Sequence, residues 1–144
     1  MQNITMTTKN HKNKTLSVLI CLLFGSLGAH RFYLHGKRDN IAWLHLISLP
    51  LSILLSKLYF NLNSFVTYAP WMLSFLISIL MCLLLGLKSD EHWDAQFNQD
   101  SGQKSASSWP LAILLVFSVG LGAISLLFVM ARGFDLLYTG GAYG

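Results

Sequence analysis

The chain has 144 residues, of which 53% are hydrophobic and 11% charged, with a net charge of +4, against roughly 25% charged in soluble domains. That balance excludes a separate soluble domain. The positive charge reads as membrane anchoring and not as nucleic-acid binding, because Lys and Arg flank apolar segments and form no aromatic-interleaved patch.

Residues 1–15 form a polar Asn/Thr/Lys-rich tail without hydrophobic periodicity, which predicts disorder. Four apolar stretches follow: Leu16 to Leu34, Ile41 to Phe60, Ala69 to Leu87 and Trp109 to Ala131. Each has about the 17 to 25 residues that a helix needs to cross a bilayer. Continuous apolar runs favour helices over barrel strands, which alternate. The fold class is therefore all-α: a multi-pass integral membrane protein of about four transmembrane helices in a small bundle. Lys9, Lys12 and Lys14 before an apolar run also fit a cleaved signal peptide as the alternative.

In the first stretch the unbroken apolar part ends at Ala29. Fourteen helical residues cover only about 21 Å, so the helix is expected to continue to about Leu34. That places His30 and Arg31 near the interface, with Phe32 and Tyr33 as belt aromatics fixing its depth. A basic turn, His35 to Asn40, leads to the second stretch, which carries Pro50 and a stripe of Ser48, Ser52 and Ser56. The third carries Ser74, Ser78, Cys82 and Gly86 at the same spacing, and the fourth carries Ser118 and Gly122. Such stripes predict close helix packing, since small residues let backbones approach in lipid. Cys21 and Cys82 read as packing residues.

The loop 88–108 predicts a short interfacial helix capped by Ser89 or Asp90, with Trp93 and Phe97 on one face. Asp90, His92 and Asp94 match no defined metal motif, so neither a metal nor another cofactor is expected. Residues 132–144 read as an irregular tail. With four crossings the Lys and Arg residues divide five against five, which leaves orientation open. A re-entrant first segment would put the tail and the basic turn on one side and account for the tie.

The tract Phe24 to Gly36 carries Gly25, Gly28, His30, Arg31, Phe32, Tyr33, Leu34 and Gly36 in the pattern G-x-x-G-x-H-R-F-Y-L-x-G. With its lysine tail and following apolar helix it resembles the TM2 domain family from about Lys14 to Phe60. His30 stands where animal members usually have Asp, so the chain looks like the prokaryotic branch, with two further helices. His35 intervenes between Tyr33-Leu34 and Gly36, where members commonly have Gly directly. The resemblance implies a hydrophobic hairpin over 16–60 joined by a short basic turn, and no catalytic chemistry.

No GxSxG, HExxH or carboxylate dyad is present, so the chain is not expected to be an enzyme. The leading reading is a scaffold, assembly factor or regulator in the bacterial cytoplasmic membrane, packing on itself or on another membrane protein. In this reading Gly25 and Gly28 admit the second helix, and His30 and Arg31 meet anionic phospholipid headgroups or a partner carboxylate. Two alternatives stand beside it: a component of an ion or small-solute conduit, for which His45 and Lys57 are the intramembrane candidates, and a membrane-protective protein against toxin or phage.

Overall fold

The computed structural model describes residues 10–142, and every regular element there is helical. The first nine residues of the expected disordered tail lie outside the described residues. The remainder of that tail is tied down. The backbone amide of Lys12 donates to Asn98 Oδ1 at 2.7 Å, and Asn13 caps α1 (Lys14–Phe24) by accepting from the Leu16 amide at 3.1 Å. The capping signal lies in the Asn13 side chain, whose oxygen takes up one of the donors that a helix start leaves unpaired.

The first apolar segment is not one crossing helix. α1 gives way to a single 3₁₀ turn, Gly25–Leu27, then to Gly28 at φ 76°, and α2 (Ala29–His35) runs back beside α1. The Asn13 amide donates to the Tyr33 hydroxyl at 3.1 Å, and Lys12 Nζ donates to the Leu34 carbonyl. In a straight helix Asn13 and Tyr33 would stand about 30 Å apart. The segment is re-entrant, which corrects the expected two-crossing hairpin over 16–60. Glycine makes the reversal possible: φ 76° is left-handed backbone, which costs a residue with a Cβ but not glycine. The irregular turn at membrane depth is buried in protein, the condition under which lipid tolerates it.

α3 (Asn40–Leu58) then crosses, with Asp39 as N-cap and Pro50 inside it. A short α4 (Ser64–Thr67) precedes α5 (Ala69–Leu87), α6 (Asp90–Phe97) lies in the following loop, and α7 (Trp109–Thr139) closes the chain. Three helices, α3, α5 and α7, are long and apolar enough to cross a membrane, whereas the apolar helix Lys14–Leu27 is shorter. Three helices thus have the length to cross, and the first apolar segment is folded as the hairpin of α1 and α2. The expected irregular tail also needs correction, because α7 continues to Thr139. Arg132 pairs with Asp135 one turn on at 2.5 Å, and the helix ends only at Gly140, at φ 69°.

α5 is the centre of the packing. Its stripe of Ser74, Ser78, Cys82 and Gly86 is buried along its whole length. The Cys21 thiol of α1 donates to the Ser78 carbonyl at 3.1 Å, and Cys82 lies 3.0 Å from Ser118 Oγ of α7. Gly86 faces Leu115, and Gly122 faces Ile79. From α3, Ser52 accepts the Trp71 amide at 3.1 Å; Ser48 donates to the His45 carbonyl at 2.6 Å, and half-buried Ser56 to that of Ile53 at 2.9 Å. Val18, Cys21, Cys82 and Leu111 form the apolar core around this seam.

The re-entrant geometry sorts the charge. The N-terminal segment, the basic turn and the α6 loop share one face, which carries Lys12, Lys14, Arg31, Lys37, Arg38, Lys88 and Lys104. Lys57 and Arg132 belong to the other. Among the described residues the division is seven against two.

Candidate membrane-interface site

The hairpin is seated by its glycines. A Cβ at Gly28 would lie 2.6 Å from the Ala42 carbonyl oxygen and 3.0 Å from His45 Cβ, so α2 meets α3 backbone to backbone there. A Cβ at Gly25 would lie 2.8 Å from Ser78 Cβ. Gly25 thus admits α5 and not the second apolar helix. Gly36, at φ 78° with open space around it, ends α2, and its amide donates to the Phe32 carbonyl at 3.0 Å.

The motif's polar side chains do not lie where helix length alone places them. His30 is 1% exposed, and neither ring nitrogen has a hydrogen-bond partner. It faces the molecule's interior, because the chain turns back before reaching the interface. Its ring stands edge-on to His45 at 6.1 Å between centroids. Arg31 is also committed: its Nε donates to Asp39 Oδ2 at 2.7 Å, with both side chains largely covered. The exposed Lys and Arg side chains of the turn are Lys37 and Arg38, beside the exposed His35.

Asp39 joins the turn together. It caps α3 through the Ile41 amide at 2.9 Å, holds Arg31, and lies 3.5 Å from His35 Nδ1. Burial works to raise its pKa, but the Arg31 bond, the Ile41 amide and the Arg31 charge together hold it below the ordinary carboxylate value. His35 is lowered, first by burial and then by the Arg31 charge. Phe32 packs edge-on against Trp43 at 5.4 Å, and the Trp43 indole donates to the Lys37 carbonyl at 2.9 Å. The aromatic pair brackets the basic turn.

A second cluster ties this face to the α6 loop. Lys14 Nζ reaches Asp90 Oδ1 and Ser107 Oγ, each at 3.0 Å, and donates to the Lys88 carbonyl. The fully buried Trp93 donates from its indole to the Lys12 carbonyl at 3.0 Å and packs on Phe97 at 4.6 Å. Ser89 is the α6 cap. Asp94 is held down to about 2 by the Ser105 hydroxyl first, then by the Asn98 amide group and the Ser105 backbone amide. Asp90 is lowered chiefly by the Ser107 hydroxyl. These carboxylates are engaged in closing the loop 98–107 over α6; among the described residues no three His, Cys, Asp or Glu side chains form a metal-sized group.

Sequence reading missed Asp39 as the organiser of the turn and Lys14 as the anchor of the loop. The cap was readable, since Asp before an apolar run is a helix-start signal. The pairings of Arg31 with Asp39 and Lys14 with Asp90 follow from chain reversal and have no local spacing signature.

Three bilayer-length apolar helices and a buried re-entrant hairpin define a multi-pass all-α membrane protein. Residues 10–56 match the family model of the TM2 domain, a span that takes in α1, α2 and most of α3. No curated protein and no solved structure matches the chain.

Proposed function

We propose that this TM2-domain protein is a non-enzymatic scaffold, assembly or regulatory partner that acts within the membrane through α7. The observation that carries this reading is the exposure of that helix. α5 takes up its contacts at Ser118 and Gly122, and the core shared with α1 takes up Leu111, while Val116, Phe117, Ile124, Leu127, Met130 and Leu137 remain exposed. The small-residue stripes are spent inside the chain, which leaves α7 as the crossing-length helix with the most unpartnered apolar surface.

The seven-to-two distribution of basic residues supports placing the α6 face in the cytoplasm of a bacterial cell, with Lys37 and Arg38 against anionic headgroups. The test is disulfide crosslinking of single cysteines at exposed Ala123 and Ala131 in a chain lacking Cys21 and Cys82. Crosslinks to a second copy or a co-purifying membrane protein support the reading. A monomer on native gels, crosslinked to nothing at either position, overturns it.

A further inference from the structure

The closed end of the re-entrant hairpin brings together two histidines that no part of the proposed function uses. His30 is fully buried with both ring nitrogens unpartnered, an arrangement rare enough among buried polar groups to require an explanation. His45 is 4% exposed, and its Nδ1 lies 2.6 Å from Ser74 Oγ. Ser74 in turn donates to the Ser26 carbonyl at 2.7 Å. A hydroxyl has one proton to give. Ser74 therefore accepts from His45, which fixes the proton of neutral His45 on Nδ1 and leaves Nε2 as a bare acceptor.

The ring separation selects what joins them. A direct imidazole-to-imidazole hydrogen bond brings ring centroids to about 5 Å, from a nitrogen-to-nitrogen distance of about 3 Å. The observed 6.1 Å, with the ring planes at 66°, exceeds that, so the two rings are not bonded directly to each other. A divalent cation is a poor occupant, because two neutral imidazoles in an apolar setting leave its charge uncompensated. A water oxygen carries no charge and can both donate to a bare ring nitrogen and accept from a protonated one, which allows an excess proton to be shared by both rings.

We propose that His30 and His45 form a buried proton-binding site, bridged by one water molecule, whose occupancy loosens the re-entrant hairpin from α3. Charged and titratable groups act on it from each adjoining element. α2 contributes Arg31 and His35, the turn contributes Asp39, and α3 contributes His45 itself. α5 presents only the Ser74 hydroxyl, and the 3₁₀ turn only the Ser26 carbonyl. Asp39 is already matched by Arg31 at 2.7 Å, so a proton taken up here adds net positive charge. That charge falls where the Gly28 backbone is pressed against Ala42 and His45, the seam that holds α2 to α3. The fold thereby couples proton uptake to the seating of the hairpin.

The test is a titration of the full chain in lipid nanodiscs with ¹⁵N-labelled histidine, from about pH 8 to about pH 4, where imidazoles titrate. The expected result is that His30 and His45 shift together in two coupled steps, and that His30→Gln leaves His45 with a single step. Amide exchange over residues 28–35, corrected for its intrinsic pH dependence, should rise several-fold across the first step. Rings that titrate independently, or do not titrate at all, overturn the proposal. So does a zinc or copper ion that stays bound stoichiometrically after chelation while the rings remain silent. The wild-type titration decides the matter even if the variant fails to fold.

Discussion

Asn13 and Tyr33, twenty positions apart, share a hydrogen bond of 3.1 Å from the Asn13 amide to the Tyr33 hydroxyl. That bond requires the first apolar segment to enter and leave on one face. We expect reporter fusions placed before Lys12, in the turn 36–39 and in the loop 98–107 to give one topology signal. Fusions in the loop 59–63 and after Ala142 should give the opposite one. With seven basic residues against two, the first group should be cytoplasmic. A basic turn reporting opposite to the N-terminal segment would refute the re-entrant hairpin.

The seating glycines should separate by what a new methyl group meets. Gly28→Ala combines a left-handed φ, worth about 1–2 kcal/mol, with a carbonyl oxygen at 2.6 Å that cannot move freely, and should be the most damaging change. Gly86→Ala meets only the flexible end of Leu115 and should cost about 1 kcal/mol or less. Gly25→Ala should be partly rescued by Ser78→Gly, which removes the atoms at 2.8 and 2.9 Å, with a coupling of about 0.5–3 kcal/mol in a double-mutant cycle. Thermal unfolding in detergent measures all three.

Acid should release the loop over α6. Asp94 is depressed from 3.8 to about 2, so its contribution to stability is fully present above about pH 4 and is lost as pH falls through about 2. Asp90, also depressed, acts in the same direction. In a chain whose other tryptophans are replaced by phenylalanine, Trp93 emission should shift to the red over that window. Asp94→Asn should show the shifted emission already at neutral pH. Unchanged emission in the variant would show that the Asp94 bonds do not hold the loop.

Lipid retention should distinguish the basic residues of the turn. Lys37→Gln with Arg38→Gln should lower co-purified anionic phospholipid several-fold, read by native mass spectrometry, while the melting temperature stays near that of the parent chain. Arg31→Gln should instead lower the melting temperature, because it leaves Asp39 buried without its cation. Asp39→Asn in the Arg31→Gln background should then add little further loss.

The membrane class, the positions of α3 and α5 and the start of α7 could be read from the sequence, because apolar run length alone sets them. The reversal at Gly28 could not, although the tied count of basic residues pointed to it. A fourteen-residue apolar run satisfies a crossing if it continues and a re-entrant turn if it does not, and only the contacts of Gly28 with Ala42 decide. For the same reason helix length alone puts His30 at an interface: its burial depends on the direction of α2, not on its distance along the chain from Leu16. α7 outran its expected end because Arg132 is neutralised within the helix by Asp135, a pairing that makes a charged residue compatible with continued helix.

The Lys14 anchor and the α5 seam set the size of the working unit. Residues 10–56 are the span that matches the TM2 domain model, yet Gly25 rests on Ser78, Ser26 on Ser74, and Lys14 on Asp90. A fragment ending at residue 56 would keep both arms of the hairpin but lose the helix they close upon. Any cut between the two arms and α5 would strand Gly25, Ser26 and Lys14 together, so the smallest piece of this chain that closes the hairpin reaches past the matched span to Asp90.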